Sequence, residues 1–186
     1  MKFRKPLKIT SRTSTITNSF VQAIIPSIEP TESEVREALA ILEIDPKNMT
    51  CAYCGRPSTD WDHLHPLVRN KRPTGFINEL RNMVHSCGPC NQSKSGQDWR
   101  SWMSGKSSGS PNTRGVSDLQ DRIGRLERYE GWGNLRPLAL DNLVPTEDWE
   151  AHWHMLDSIS SSMRDAQSHA EKVRRSIENA LKPRNY

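Results

Sequence analysis

Two pairs of cysteines, Cys51-x-x-Cys54 and Cys87-x-x-Cys90, tie down the middle of this chain. Each x-x spacing makes a tight knuckle that offers two sulfurs to one ion, and two knuckles complete a tetrahedral zinc site. All four cysteines are used in pairs and no export signal accompanies them, so metal is favoured over disulfides. A reducing, cytoplasmic setting is expected. Whatever lies between the pairs, including Asp62-His63-Leu64-His65-Pro66, is stapled at both ends.

Such a staple matters because the core is modest: hydrophobic residues make up 34% of 186 and the mean hydropathy is −0.76. That length allows one ordinary domain, or a small one with extensions, and no second enzyme. A metal can do part of the work that a larger core would do. The apolar run at residues 20–25 is too short for a signal peptide, and no run of about 18 apolar residues exists to span a membrane.

Net charge is +4, unevenly placed. Lys2, Arg4, Lys5, Lys8 and Arg12 precede the first acidic residue, Glu29, and such an arm can lie along a phosphate backbone or remain a solvated tail. Residues 51–106 hold eight basic side chains against Asp60, Asp62, Glu79 and Asp98, so the stapled segment is cationic itself. In the loop after His63, charge favours nucleic-acid contact by Arg69, Lys71 and Arg72. Residues 29–50 carry six carboxylates against Arg36 and Lys47 and are expected to face away from a polyanion.

The pattern along the chain predicts an α+β fold. Residues 8–25, rich in Thr, Ser, Ile and Val, read as one or two strands closed by Pro26 and Pro30. A capping box at Thr31-Glu32-Ser33-Glu34 opens a helix that Asp45-Pro46 stops. Residues 51–103 read as knuckle, strand ending near His63, loop, second strand near 83–86 and a helix from Cys90, with Trp99 and Trp102 as core cover. Residues 104–117 are almost without apolar side chains and are expected to be a linker or mobile loop. The domain plan is therefore an arm at 1–50, the stapled module at 51–103, a linker at 104–117 and a helical region at 118–186.

In that last region a helix from Ser117 carries Leu119, Ile123, Leu126 and Tyr129, and Gly131 is placed to end it. A longer helix over 147–181 has a heptad seam. Trp149, Leu156, Met163, Ala170 and Ile177 lie seven apart, with Ile159, Ala166, Val173 and Ala180 beside them. A seam this long implies a packing partner: the helix from Ser117, or the same helix in a second copy, which would make a homodimer.

Taken in order, Cys51-x-x-Cys54, Asp62-His63 with Pro66, Asn82-Met83-Val84-His85-Ser86-Cys87 and Cys90-Asn91-x-x-Lys94 resemble the HNH endonucleases, in the branch whose ββα-metal motif is stapled by four cysteines. The resemblance covers roughly residues 51–103. It implies that His63 is the general base activating water, that Asp62 and Asn91 ligate a catalytic divalent ion, and that Asn82 holds the loop carrying the base. Asn91 stands where the family's final letter denotes His.

The same roles have a physical basis. Phosphodiester hydrolysis needs a nucleophile made more basic and charge stabilisation at phosphorus. A carboxylate and an amide oxygen suit Mg²⁺ or Mn²⁺, while a closed four-sulfur site suits structural zinc. An unperturbed imidazole, with a pKa of about 6.5, is neutral enough near pH 7 to accept a proton. Lys94, one turn into the last helix, is either a phosphate contact or a solvated lysine; His65 packs or contacts phosphate; His85 is read as structural. The implied partner is double-stranded DNA. The leading expectation is a type II restriction enzyme, with a phage or mobile-element nickase or low-specificity nuclease and a non-catalytic zinc-stabilised DNA-binding module as alternatives.

Overall fold

The computed structural model describes residues 4–181, so Lys2 lies outside the described residues. The chain divides into two compact units, one of residues 21–139 and the other of residues up to 20 together with those from 140 on.

In the second of these, a 3-10 turn at Ile9–Arg12 leads into helix α1, Thr13–Ala23. Strands were expected here. The inward side chains are Thr13, Ile16, Thr17 and Phe20, the i, i+3, i+4 series of a helix face, and that period outweighs the β preference of Thr, Ile and Val. After a 3-10 turn at Leu140–Leu143 the unit is completed by a 36-residue helix, Thr146–Leu181. The two run antiparallel: Ile9 N donates to Gln167 Oε1 at 2.7 Å, and His152 Nε2 donates to the Phe20 carbonyl at 3.0 Å. The inward face of this helix, centred on buried Trp153 and Leu156, thus meets the N-terminal segment; of these two residues only Leu156 belongs to the seam read from the sequence. Met155, Ile159, Val173 and Ile177 remain exposed.

The larger unit begins with α2, Glu32–Leu42, opened by the expected capping box at Thr31 and closed by Glu43 in the left-handed conformation. Strand β1, Asp60–His63, is followed by a two-residue-per-arm hairpin, β2 Val68–Arg69 and β3 Arg72–Pro73. Strand β4, Met83–Ser86, returns antiparallel to β1 with Asp62 opposite Val84 and His63 opposite Met83. Helices α3, Gly88–Lys94, and α4, Trp99–Ser104, come next. α5 spans Leu119–Gly133, two residues beyond the expected stop at Gly131, and ends on Asn134 in the left-handed conformation. The long helix above is α6.

Four-residue strands and a seven-residue helix do not hold together alone. They are wrapped by a core of Tyr53, Leu64, Val84, Trp99, Trp102, Leu126 and Tyr129, each at most 1% exposed, with three of the four cysteines among them. Tyr53 and Trp102 meet edge to face at 5.1 Å. α5 lies against α2, α4 and the 3-10 turn before β4.

Residues 104–117, read from the sequence as a linker or mobile loop, pack against the preceding helices. Ser110 and Pro111 are buried, Asn112 N donates to the Met103 carbonyl at 3.1 Å, and Ser93 Oγ donates to the Ser108 carbonyl at 3.0 Å. The polar side chains that make the segment look solvated are the groups that close its turns. Among the described residues, no helix is long and apolar enough to cross a membrane.

Candidate metal centre and histidine site

The sulfurs of Cys51, Cys54, Cys87 and Cys90 all lie within 4.8 Å of one another, and none is in a disulfide. In a tetrahedron with Zn–S of about 2.3 Å, sulfurs sit about 3.8 Å apart; the Cys54 and Cys87 sulfurs are 3.6 Å apart. These four cysteines could hold a metal such as zinc. Both knuckles are built by backbone hydrogen bonds, from Gly55 N to the Cys51 carbonyl at 2.8 Å and from Cys90 N to the Cys87 carbonyl at 3.0 Å. Gly55 needs its φ of +72°, and a Cβ there would run into the Arg122 guanidinium, which itself donates to the Cys51 carbonyl at 3.3 Å.

Sulfurs this crowded cannot all ionise without a cation among them. Cys51 is pushed up to about 12, first by its hydrogen bond with Cys54 and then by burial and neighbouring charge, and Cys90 is raised by Cys51 and Cys54 in the same way. Cys54 is held low as the acceptor of those bonds. Arg114, from the supposed linker, donates to Cys90 Sγ at 2.8 Å and places a positive charge on the cluster.

The clasp sets α3 across β1. Asn91 Nδ2 donates to the Trp61 carbonyl at 3.3 Å, and one turn later Lys94 Nζ donates to the His63 carbonyl at 2.7 Å. Lys94 also reaches Asp62 Oδ2 at 3.1 Å, which accepts a hydrogen bond from Tyr53 OH at 2.7 Å. Lys94 is 0% exposed. It is therefore neither of the things the sequence suggested, a phosphate contact or a solvated lysine: a short helix pinned by Cys87 and Cys90 turns its side chain inward, where a carboxylate and a backbone carbonyl satisfy the charge. Burial lowers the Lys94 pKa, with Asp62 opposing the shift, and burial beside the Asp62 carboxylate raises Tyr53 well above 10.

His63 ends β1 on the opposite side of the strand from Asp62. Its Nε2 faces Asn78 Oδ1 at 2.7 Å. An amide oxygen only accepts, so Nε2 carries the proton and Nδ1 the lone pair. Burial lowers the His63 pKa below 6.5, against smaller opposing effects of Asn78 and Asp62, and the ring is neutral at pH 7. Asn78 is fixed in turn by its backbone, which donates to the Pro26 carbonyl at 3.2 Å and accepts from Ile28 N at 2.7 Å. Nothing in the spacing of Gly75-Phe76-Ile77-Asn78 marks that residue; only the return of residues 26–28 selects it.

Asn82 is fully buried, as a loop-holding residue must be. Its amide accepts from His65 N at 2.8 Å and donates to the His65 and Ile77 carbonyls at 3.1 and 3.3 Å. Tyr129 OH, from α5, bonds the Leu80 and Met83 carbonyls on either side of it. His65 packs: its ring stacks on Phe76 at 4.4 Å and its Nε2 donates to Glu130 at 3.0 Å. His85 lies against Trp61, with ring centroids 3.8 Å apart and planes tilted by 39°. Arg69, Lys71 and Arg72 are exposed on the β2–β3 hairpin, whose turn residues Asn70 and Lys71 both have positive φ, and Lys5 and Lys8 are exposed on the N-terminal segment.

The side chains of His63, Asp62 and Asn91 thus hold three different partners, and no hydrogen bond joins any two of them. No protein-family model, curated protein or solved structure matches the chain.

Proposed function

We propose that this chain is a divalent-metal-dependent endonuclease that hydrolyses phosphodiester bonds in duplex DNA. The observation that carries the reading is His63: a neutral imidazole at a strand end, its protonated nitrogen held by Asn78 and its Nδ1 lone pair left to take a proton from water. The surrounding layout supports it, with a β1–β4 hairpin, a helix laid across β1 and a four-sulfur clasp joining them.

Zinc in the clasp is structural on this reading, because four thiolates leave no open position. Mg²⁺ or Mn²⁺ falls to Asp62 and Asn91. With Asn91 Nδ2 bound to the Trp61 carbonyl, its Oδ1 would be left for an ion, and Asp62 would offer Oδ1, since Oδ2 serves Tyr53 and Lys94. A hard cation there supplies charge stabilisation to the phosphorus and to the departing oxygen. Arg69, Lys71 and Arg72 on the hairpin, with Lys5 and Lys8, hold phosphates and fix register. A cytoplasmic restriction enzyme that dimerises through α6 fits best, since two-fold symmetry puts one site on each strand.

A second reading has its own support. The Asp62 carboxylate already neutralises buried Lys94, an arrangement that a purely structural zinc-stabilised DNA-binding module would also need. Plasmid incubated with protein and Mg²⁺ or Mn²⁺ separates the readings. Discrete fragments are expected of a restriction enzyme, nicked circles of a phage-type nickase and a smear of a low-specificity nuclease. Uncut plasmid, bound but intact, would favour the binding module. His63→Ala should lose at least a hundredfold in cleavage while still binding DNA, and undiminished cutting by that variant removes the base assignment.

A further inference from the structure

Beside the histidine site, the β2–β3 hairpin walls a cleft of about 580 Å³. That is within the roughly 300–1,000 Å³ of small-ligand sites. Its lining includes the stacked His65–Phe76 pair, whose rings lie 12° from parallel, and Pro137. Arg69 and Asp98 are also among its lining residues, both exposed to solvent. Flat apolar surfaces, the guanidiniums of Arg69 and Arg72 and a single carboxylate are the complement of a planar ring that carries a hydrogen-bond donor on one edge and a phosphate on its tether.

The cleft is built in advance of any ligand. Leu138 N donates to the Gly75 carbonyl at 2.9 Å, and a Cβ on Gly75, whose φ is +91°, would collide with the Leu138 backbone, so the wall bearing Pro137 is locked onto the loop bearing Phe76. Asn82 and Glu130 hold His65 from behind. Asp98 uses Oδ1 to cap α4 through Ser101 N at 2.9 Å, which fixes the carboxylate in place.

We infer that this cleft receives one unpaired nucleobase of the bound strand, and that Asp98 selects a base with an exocyclic amino group. The inference rests on the phosphodiester reading for the kind of ligand, and on the cleft for everything else. His65 is two residues beyond His63, so a strand whose phosphate sits at His63 has a neighbouring nucleotide in reach. Carboxylates accept from the amino groups of cytosine, adenine and guanine; thymine offers only carbonyl oxygens on that edge beyond its ring N–H. Unstacking a base costs a few kcal/mol, which the stack on His65–Phe76 and the contact with Asp98 offset.

The test uses mononucleotides, which contain no bond to cut. dCMP, dTMP and 2-deoxyribose 5-phosphate are titrated into the full zinc-loaded protein without divalent ion, and backbone amide shifts are followed by NMR. dCMP is expected to bind at least tenfold tighter than either other probe, with shifts at residues 65–76 and 98. Asp98→Asn, which keeps the helix cap, should remove the preference for dCMP over dTMP, and Phe76→Ala should weaken both nucleotides. Equal binding of deoxyribose phosphate and dCMP would reduce the cleft to a phosphate site and overturn the inference. So would shifts that fall elsewhere, or an Asp98→Asn protein that still prefers dCMP. Base binding by a protein that leaves plasmid uncut would defeat the nuclease reading and spare the cleft, whereas cutting without base binding would do the reverse.

Discussion

At the scale of single residues, Lys94 and Asn78 bear most on the site. Lys94 is a buried cation whose partners are the Asp62 carboxylate and the His63 carbonyl, so removing it strands a carboxylate and frees the strand that carries the histidine. Breaking a buried pair of this kind costs about 3–5 kcal/mol. Lys94→Met should therefore lower the unfolding free energy by about that much in urea titrations, and a loss below about 1 kcal/mol would mean that the pair is not formed in solution. Asn78 acts through His63. Asn78→Ala removes the acceptor that favours the protonated ring, so the His63 pKa, already lowered by burial, should fall further. The acid limb of the rate profile, and the imidazole titration seen by NMR, should both move to lower pH, whereas a merely structural Asn78 would leave the titration where it was. The motif residues were readable in order, yet their partners were not: Tyr53, Asn78 and Glu130 come from outside any spacing rule.

At the scale of elements, α3 is too short to be helical alone, and β1 and β4 form only a four-pair ladder. Their stability is coupled to whatever binds the four sulfurs. Metal removal by chelation, or Cys87→Ser, should unfold residues 51–103, seen as loss of amide protection there; an unchanged melting temperature would refute a structural metal. α6 presents a different case. Its inner face is covered by the N-terminal segment, while Ile159, Val173 and Ile177 stay exposed along the other. On the dimer reading, Val173→Glu with Ile177→Glu should convert a dimer to a monomer in sedimentation, and a wild-type monomer at all concentrations would end that reading. The capping box at Thr31 was decisive in the sequence because it is a local contract between two side chains and two backbone groups. The misreading of α1 had the opposite cause, since residue preference was weighed above the period of the inward side chains.

At the scale of the whole molecule, burial depresses the pKa values of His63, His65 and His85 together. An unfolded histidine titrates near 6.5, so below that pH the unfolded chain binds protons that the folded chain refuses, and stability falls. The contribution is complete above about pH 6.5 and is lost progressively as pH drops towards the folded values. Unfolding midpoints should thus be flat above neutrality and decline below pH 6.5, and a midpoint that rose on acidification would contradict the burial of all three rings.

The sequence by itself determined the sulfur clasp, the order of the motif, the capping box and the long helix, because each depends on residues close together along the chain or on a fixed period. Only the tertiary structure decided that Lys94 turns inward, that residues 104–117 fold onto the cysteine cluster, that Asn78 orients His63 and that the hairpin borders an open cleft. Those outcomes depend on which distant side chain fills a given space or satisfies a given polar atom. No local pattern encodes that choice, since burial makes it jointly for all the elements that meet.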